Sequence, residues 1–161
     1  MCRVECLAKL YPDAEFIIPI RNPLAHVNSL VCQHQLFCAY ARQEIRLAAY
    51  LETTGHFEFG PQRMPIRLDD QLFHRTLDCW QAGEEHLGYS IQWNVIYRLV
   101  LELLSNEDLK NRIHVVRYED LCASPQERLQ FLLQRVGLAA REAASIPDVD
   151  HVAMVPPAGG W

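Results

Sequence analysis

Two short apolar segments are each followed by a side chain that could bind a phosphorylated ligand. Arg21 follows a predicted strand over 14–20, with Ser29 eight residues later, and Tyr118 follows a predicted strand over 113–117. Side chains just past the carboxyl ends of parallel strands face the crevice where α/β proteins bind ligands. A guanidinium binds a phosphate through two parallel hydrogen bonds, which a serine hydroxyl could share. Taken singly, such residues are more often surface or core-edge residues than ligands.

Helical patterns surround these two strands. The Asn-Pro pair at 22–23 is typical of a helix start, because Asn is a good N-cap and Pro suits the first helical position. Pro19 is tolerable in the first strand only because it lies near the end. The sequence predicts helices over 1–10, 23–52, 69–82 and 84–104, a loop over 53–68, a final helix from a Ser124 cap to Gly137, and an irregular tail over 139–161.

This order of elements predicts an α/β fold in a single domain over 1–161. The strands read as buried and parallel, since both are short and rich in β-branched residues. Two strands do not make a stable sheet. Either further strands escape detection, or residues absent from this chain complete the sheet, leaving strand 14–20 with an unpaired edge that favours self-association.

Composition limits the function classes. Half of the residues are hydrophobic and the net charge is −5, which argues against a nucleic-acid partner but not against a local basic pocket. No apolar run is long enough to cross a membrane, and we expect a cytoplasmic protein with six reduced cysteines. Cys32, His34 and Cys38 lack the spacing of a metal site, so no metal is expected.

Arg21 and Tyr118 lie in two segments that together resemble one family. The first reads RNPLAHVNS at 21–29, and the second reads VVRYEDLCASP at 115–125, followed by VGL at 136–138. In this order they resemble the sulfotransferases that use 3′-phosphoadenylyl sulfate. The loop at 54–61 and the segment 88–93 look like those of bacterial members. The resemblance covers residues 11–138.

The resemblance implies a parallel sheet like that of P-loop kinases, flanked by helices. It implies transfer of a sulfuryl group from 3′-phosphoadenylyl sulfate, the co-substrate, to a hydroxyl or amine on a small-molecule or saccharide acceptor. Arg21 and Ser29 would bind the 3′-phosphate, and Tyr118 would lie near the adenine. Asn22 stands where the family usually has Asp, and we expect little loss because Asn caps a helix as well.

Two family features do not match. No Gly-rich loop that would hold the 5′-phosphosulfate precedes Tyr11, and the usual catalytic base would lie in the same missing part. We therefore expect an incomplete, helix-rich domain that binds the 3′-phosphate and shows no transfer alone. The alternatives are a non-catalytic binding or interaction module and, more weakly, a kinase relative. His56 and Glu58 are the best acid–base candidates within the chain, although a solvated loop pair is the simpler interpretation.

Overall fold

The computed structural model describes residues 3–44, 46, 49–50, 53 and 57–138, so the predicted tail at 139–161 lies outside the described residues. Helices predominate, and two strands form a small parallel sheet. The elements are α1 (Val4–Leu10), β1 (Phe16–Ile20), α2 (Pro23–Gln43), α3 (Asp70–Gln81), α4 (Glu85–Ser105), a 3-10 turn (Lys110–Arg112), β2 (Ile113–Arg117), α5 (Tyr118–Ala123) and α6 (Pro125–Arg135).

The chain divides into two compact units. Among the described residues, the first unit takes those up to Asn22 and those from Val100 to Leu138, and the second takes those within Pro23–Leu99. The first unit therefore contains both strands, whereas the second contains α2, α3 and most of α4.

The sheet of the first unit confirms the predicted strands and their parallel direction. Ile18 pairs with Val115, and Ile20 at the end of β1 pairs with Arg117 at the end of β2. The prediction that the strands are fully buried is wrong, because Ile17 is 45% exposed and Val115 is 39% exposed. The cause is sheet size: two strands offer too little surface for helices to cover both faces.

A small apolar core stabilises the first unit. It contains residues from both strands, from α1 and from the segments after Leu99, and burial of each large side chain contributes about 1.5–3 kcal/mol. The buried apolar residues are Val4, Ala8, Ile18, Val100, Leu103, Leu109, Ile113, Val116 and Leu132. Arg112 fixes the approach to β1, because its guanidinium donates to the carbonyl oxygens of Tyr11 and Ala14 at 2.8 and 2.9 Å.

Helix boundaries agree with the sequence in most places. α3 begins after Asp69, whose carboxylate accepts a hydrogen bond from the Leu72 amide at 2.8 Å, as an N-cap does. The helix predicted over 23–52 is not continuous: α2 ends at Gln43 and Glu44 is not helical. Ser124 precedes α6 as predicted but makes no capping hydrogen bond with its side chain. Gly137, with a φ of +75°, follows the end of α6 as a glycine stop should.

Candidate functional site

The carboxyl ends of β1 and β2 coincide, which puts Arg21 and Tyr118 at one edge of the sheet. Because the strands are parallel and Ile20 pairs with Arg117, the residue after each strand leaves the sheet at the same level. Tyr118 is also the first residue of α5, a short helix that the sequence pattern did not predict. Both residues therefore follow the paired strand ends, and their assignment as ligand-binding residues stays a prediction.

Arg21 and Tyr118 are in direct contact. The Arg21 guanidinium carbon lies over the Tyr118 ring, 5.0 Å from its centroid, which is the geometry of a cation–π contact. A hydrogen bond with the Cys122 side chain, together with partial burial, raises the pKa of Tyr118, so the phenol stays neutral at physiological pH. The ring thus presents an uncharged face to the cation. A purine could contact only the opposite face or the edge of this ring.

Glu119 connects the two chain segments that leave the sheet. Its carboxylate Oε1 accepts a hydrogen bond from the Asn22 backbone amide at 2.7 Å. This bond is the main reason why the pKa of Glu119 lies below its ordinary value. The carboxylate therefore holds the turn after Arg21 against the start of α5.

The guanidinium of Arg21 keeps its hydrogen-bonding edge available. Within residues 3–44 and 57–138 no side chain or carbonyl accepts a hydrogen bond from it, and no carboxylate forms a salt bridge with it. The cation–π contact with Tyr118 uses none of the guanidinium's five N–H donors. This arrangement fits a phosphate oxyanion, which would accept two of these donors side by side.

Ser29 lies on α2 in the second unit. It is the seventh residue of the helix, about 9 Å along the axis from Pro23 at about 1.5 Å per residue. Its side chain is half-buried. Its assignment as a phosphate ligand remains a prediction from the family resemblance.

Sequence reasoning missed a cluster around Arg63 in the second unit. The guanidinium lies 4.3 Å from the Trp80 ring centroid and 5.6 Å from that of Tyr89. It donates two hydrogen bonds to Glu85, one of them at 2.8 Å, which holds the pKa of that carboxyl below its ordinary range. The ion pair and the aromatic contacts anchor the loop containing Arg63 to α3 and α4. No motif connects these positions, since the contacts depend on the tertiary fold.

Tyr89 is the fully buried member of this cluster. Its hydroxyl donates to the Glu58 carbonyl oxygen at 2.9 Å, and burial raises the pKa of Tyr89 to about 12. The Glu58 carbonyl thus helps to hold the loop against α4. This contact involves the backbone of Glu58 and indicates no acid–base role for its side chain. His56, the other acid–base candidate, lies outside the described residues.

His34 and Cys38 face each other one turn apart on α2. The Cys38 sulfur lies 3.7 Å from Nδ1 and 3.6 Å from Nε2 of His34. Nδ1 accepts a hydrogen bond from the Gly60 amide at 3.2 Å, so the ring is neutral in this arrangement. Among the described residues, no group of three His, Cys, Asp or Glu side chains could hold a metal ion. The expected absence of a metal stays a prediction.

Comparisons with protein-family models, with curated proteins and with solved structures give no match to this chain. Of the helices that the structure describes, none is both long enough and apolar enough to cross a membrane. The proposals that follow therefore depend on the residues themselves and on the sequence resemblance.

Proposed function

We propose that this chain is a relative of the sulfotransferases that use 3′-phosphoadenylyl sulfate, and that Arg21 binds the 3′-phosphate of the nucleotide. The proposal includes a sheet related to that of P-loop kinases and a hydroxyl or amine acceptor. The observation that supports it best is the cation–π contact between Arg21 and Tyr118 at the common carboxyl edge of two parallel strands. The two family-like segments, 97 residues apart at Asn22 and Glu119, are also joined by a hydrogen bond.

Each residue of this edge has a separate task in the proposed site. Arg21 supplies the charge and the paired donors that a phosphate dianion requires. Tyr118 contacts the guanidinium from one side and so restricts the Arg21 side chain before the ligand binds. Arg21 therefore loses less rotamer freedom on binding. The Glu119 carboxylate accepts a hydrogen bond from the Asn22 backbone amide and so fixes the turn from which Arg21 extends. Ser29 enters the proposal through the resemblance alone.

The co-substrate would supply an activated sulfuryl group whose transfer leaves adenosine 3′,5′-bisphosphate. The chain's own contribution at this edge is to bind and orient the nucleotide through Arg21. Stabilisation of the transferring group is usually the largest catalytic contribution, and it requires several donors aimed at the reacting oxygens. Among the described residues, no Gly-rich loop followed by a helix offers such donors.

That observation favours a second candidate function, a nucleotide-binding module without transfer activity. Both candidates predict the same binding to Arg21, and they differ in turnover. Incubation of the chain with 3′-phosphoadenylyl sulfate and a panel of phenol, sugar and amine acceptors separates them. We expect no measurable transfer, and clear turnover would exclude the binding-only candidate.

Binding is tested by calorimetric titration with adenosine 3′,5′-bisphosphate and adenosine 5′-phosphate. Arg21→Ala should weaken the bisphosphate roughly ten- to a hundred-fold, because loss of one charge-assisted contact costs about 1.5–3 kcal/mol. Arg21→Lys should not fully restore binding, since an ammonium lacks the planar pair of donors. Ser29→Ala should cost about 1 kcal/mol. Tyr118→Ala should weaken both nucleotides.

The matched control is Arg128→Ala, which removes the same charge from an exposed position on α6. It should leave both affinities unchanged at fixed ionic strength. If the wild-type protein binds both nucleotides equally well, or if Arg21→Ala keeps the preference for the bisphosphate, Arg21 does not bind the 3′-phosphate and the proposed function fails.

A further inference from the structure

The loop before α3 contains a short tip, residues 59–62, that packs against α2. The centroids of the Phe59 and Phe37 rings lie 4.7 Å apart. The buried Gly60 amide donates a hydrogen bond to Nδ1 of His34 at 3.2 Å. These four residues all belong to the second unit, so the contacts of the tip do not depend on the residues of the nucleotide-binding edge.

The hydrogen bond from Gly60 determines where the His34 ring carries its proton. Because Nδ1 accepts, it has no proton of its own, and the neutral ring must hold its proton on Nε2. The Cys38 sulfur lies 3.7 Å from Nδ1 and 3.6 Å from Nε2, so it is directed at neither nitrogen in particular. Protonation of Nδ1 would place a second donor against the donating Gly60 amide. The contact between the tip and α2 therefore requires the neutral ring.

The titratable and charged groups around His34 come from three elements. Cys38 lies on the same helix, Arg63 follows the tip in the loop, and Glu85 begins α4. Burial and the Arg63 charge lower the pKa of His34, and the Glu85 carboxylate acts in the opposite direction. Burial raises the pKa of the Cys38 thiol, so this group is uncharged near neutral pH. These surroundings favour the neutral ring that the Gly60 contact requires.

The chain on either side of the tip is held by contacts that do not titrate in mild acid. On one side the Tyr89 hydroxyl donates to the Glu58 carbonyl oxygen, and burial raises the pKa of Tyr89 to about 12. On the other side Arg63 is paired with Glu85, and this hydrogen bond holds the pKa of Glu85 below its ordinary value. Protonation of His34 would therefore release the tip and leave both anchors in place.

We propose that the tip at 59–62 is a pH-sensitive latch, which closes on the neutral ring of His34 and opens when Nδ1 takes up a proton. Opening breaks the Gly60 hydrogen bond and separates the Phe59 ring from Phe37, while Glu58 and Arg63 keep their partners. The inference goes beyond the proposed nucleotide binding and does not require it.

The test is nuclear magnetic resonance of the isotope-labelled, full chain. At about pH 7.5 the ring nitrogen shifts of His34 should show an unprotonated Nδ1 and a protonated Nε2, and His34→Gln assigns these signals. Closure excludes a proton, so acid favours the open tip. The protection of the Gly60 amide against hydrogen exchange, corrected for the intrinsic effect of pH, should fall several-fold by about pH 5.5 and by at most about tenfold per pH unit. A proton on Nδ1 at neutral pH, or constant Gly60 protection, would overturn the proposal.

Low urea concentrations distinguish release of the tip from unfolding of the whole unit. Unfolding exposes much surface, so exchange through unfolding accelerates with urea, whereas exchange through a small local opening responds little. The Gly60 amide should show the weak response. The amide of Val31, a buried residue on α2, should show the strong one. An equally strong response of both amides would mean that the tip does not open separately.

Two glutamine variants provide a matched comparison. In His34→Gln the side-chain oxygen can accept from the Gly60 amide but does not titrate, so the pH dependence of Gly60 protection should disappear. His74→Gln, at an exposed position on α3, should keep the wild-type dependence. If His34→Gln keeps it as well, His34 is not the group that controls the tip. The wild-type measurements decide the proposal even if His34→Gln does not fold, and none of them depends on the nucleotide titrations.

Discussion

At Gly88 on α4 the structure predicts that substitution by Ala lowers stability, although Gly→Ala within a helix usually raises it. An Ala in place of a Gly within an exposed helix normally adds about 1 kcal/mol of stability. Here an added Cβ would lie 2.3 Å from Nε1 and 2.4 Å from Cδ1 of Trp80. Carbon atoms in contact normally lie at about 3.5–4.0 Å, so the indole would have to move by about 1 Å or more.

Trp80 has little room for such a movement. Trp80 is 7% exposed, and its ring already contacts the Arg63 guanidinium. The centroids of the Trp80 and Tyr89 rings lie 4.9 Å apart. Forcing an extra methyl group into a packed core costs about 1–3 kcal/mol. After subtraction of the helix-propensity gain, Gly88→Ala should therefore lower the free energy of unfolding by about 1 kcal/mol.

Chemical denaturation followed by tryptophan fluorescence and circular dichroism measures this change. Asn94→Ala, at an exposed position of the same helix, reports the effect of Ala without a clash and should be neutral or slightly stabilising. In thermal unfolding the difference between the two variants should be about 2–6 °C. If Gly88→Ala proves as stable as Asn94→Ala, the packing of Trp80 against α4 is looser than these contacts indicate, and the reasoning from close approach fails.

Three further predictions concern stability and assembly. His34 has a lowered pKa because burial and the nearby Arg63 charge disfavour its protonated form, although Glu85 acts in the opposite direction and Cys38 lies beside the ring. The unfolded chain therefore binds more protons than the folded protein. The stabilisation from the neutral His34 is complete above about pH 6.5 and is lost as the pH falls through the folded-state pKa. Chemical denaturation between pH 5 and 8 should show this loss of stability in the wild type and a smaller loss in His34→Gln. Tyr89→Phe removes the hydrogen bond to the Glu58 carbonyl and should lower the free energy of unfolding by about 0.5–1.5 kcal/mol, whereas Tyr40→Phe, at an exposed position, should change it little. β1 has one neighbouring strand among the described residues, so we expect the light-scattering mass to rise with concentration and to rise less in Ile17→Lys; a constant monomer mass for the wild type would contradict an available sheet edge.

Local patterns in the sequence predict the elements that flank the candidate site. β2 matches the predicted strand 113–117, and β1 begins two residues later than the predicted strand 14–20. Both strands are β-branched segments bounded by turns, so short-range preferences and burial favour the same structure. The end of α2 at Gln43 could not be predicted in this way, because the residues that follow continue a good helical pattern and no Pro or Gly marks the break.

Contacts between distant residues were predictable only where backbone geometry requires them. Parallel pairing brings the residues after two strand ends together, so Arg21 and Tyr118 could be placed at one edge from the sequence. The Arg63 cluster has no such constraint: its guanidinium reaches Glu85, 22 positions away, through rotamers that only the packed structure determines.

The contact between Arg21 and Tyr118 changes the role that the tyrosine is expected to have. From the resemblance alone, Tyr118 would lie near the adenine. In the structure the guanidinium lies over the ring, so the more direct effect of the tyrosine is on the orientation of the arginine. A positioning role of this kind requires the ring and not the hydroxyl, which already interacts with Cys122. Loss of the ring should then reduce phosphate affinity even for a ligand without a base, because Arg21 would have to be ordered at the moment of binding.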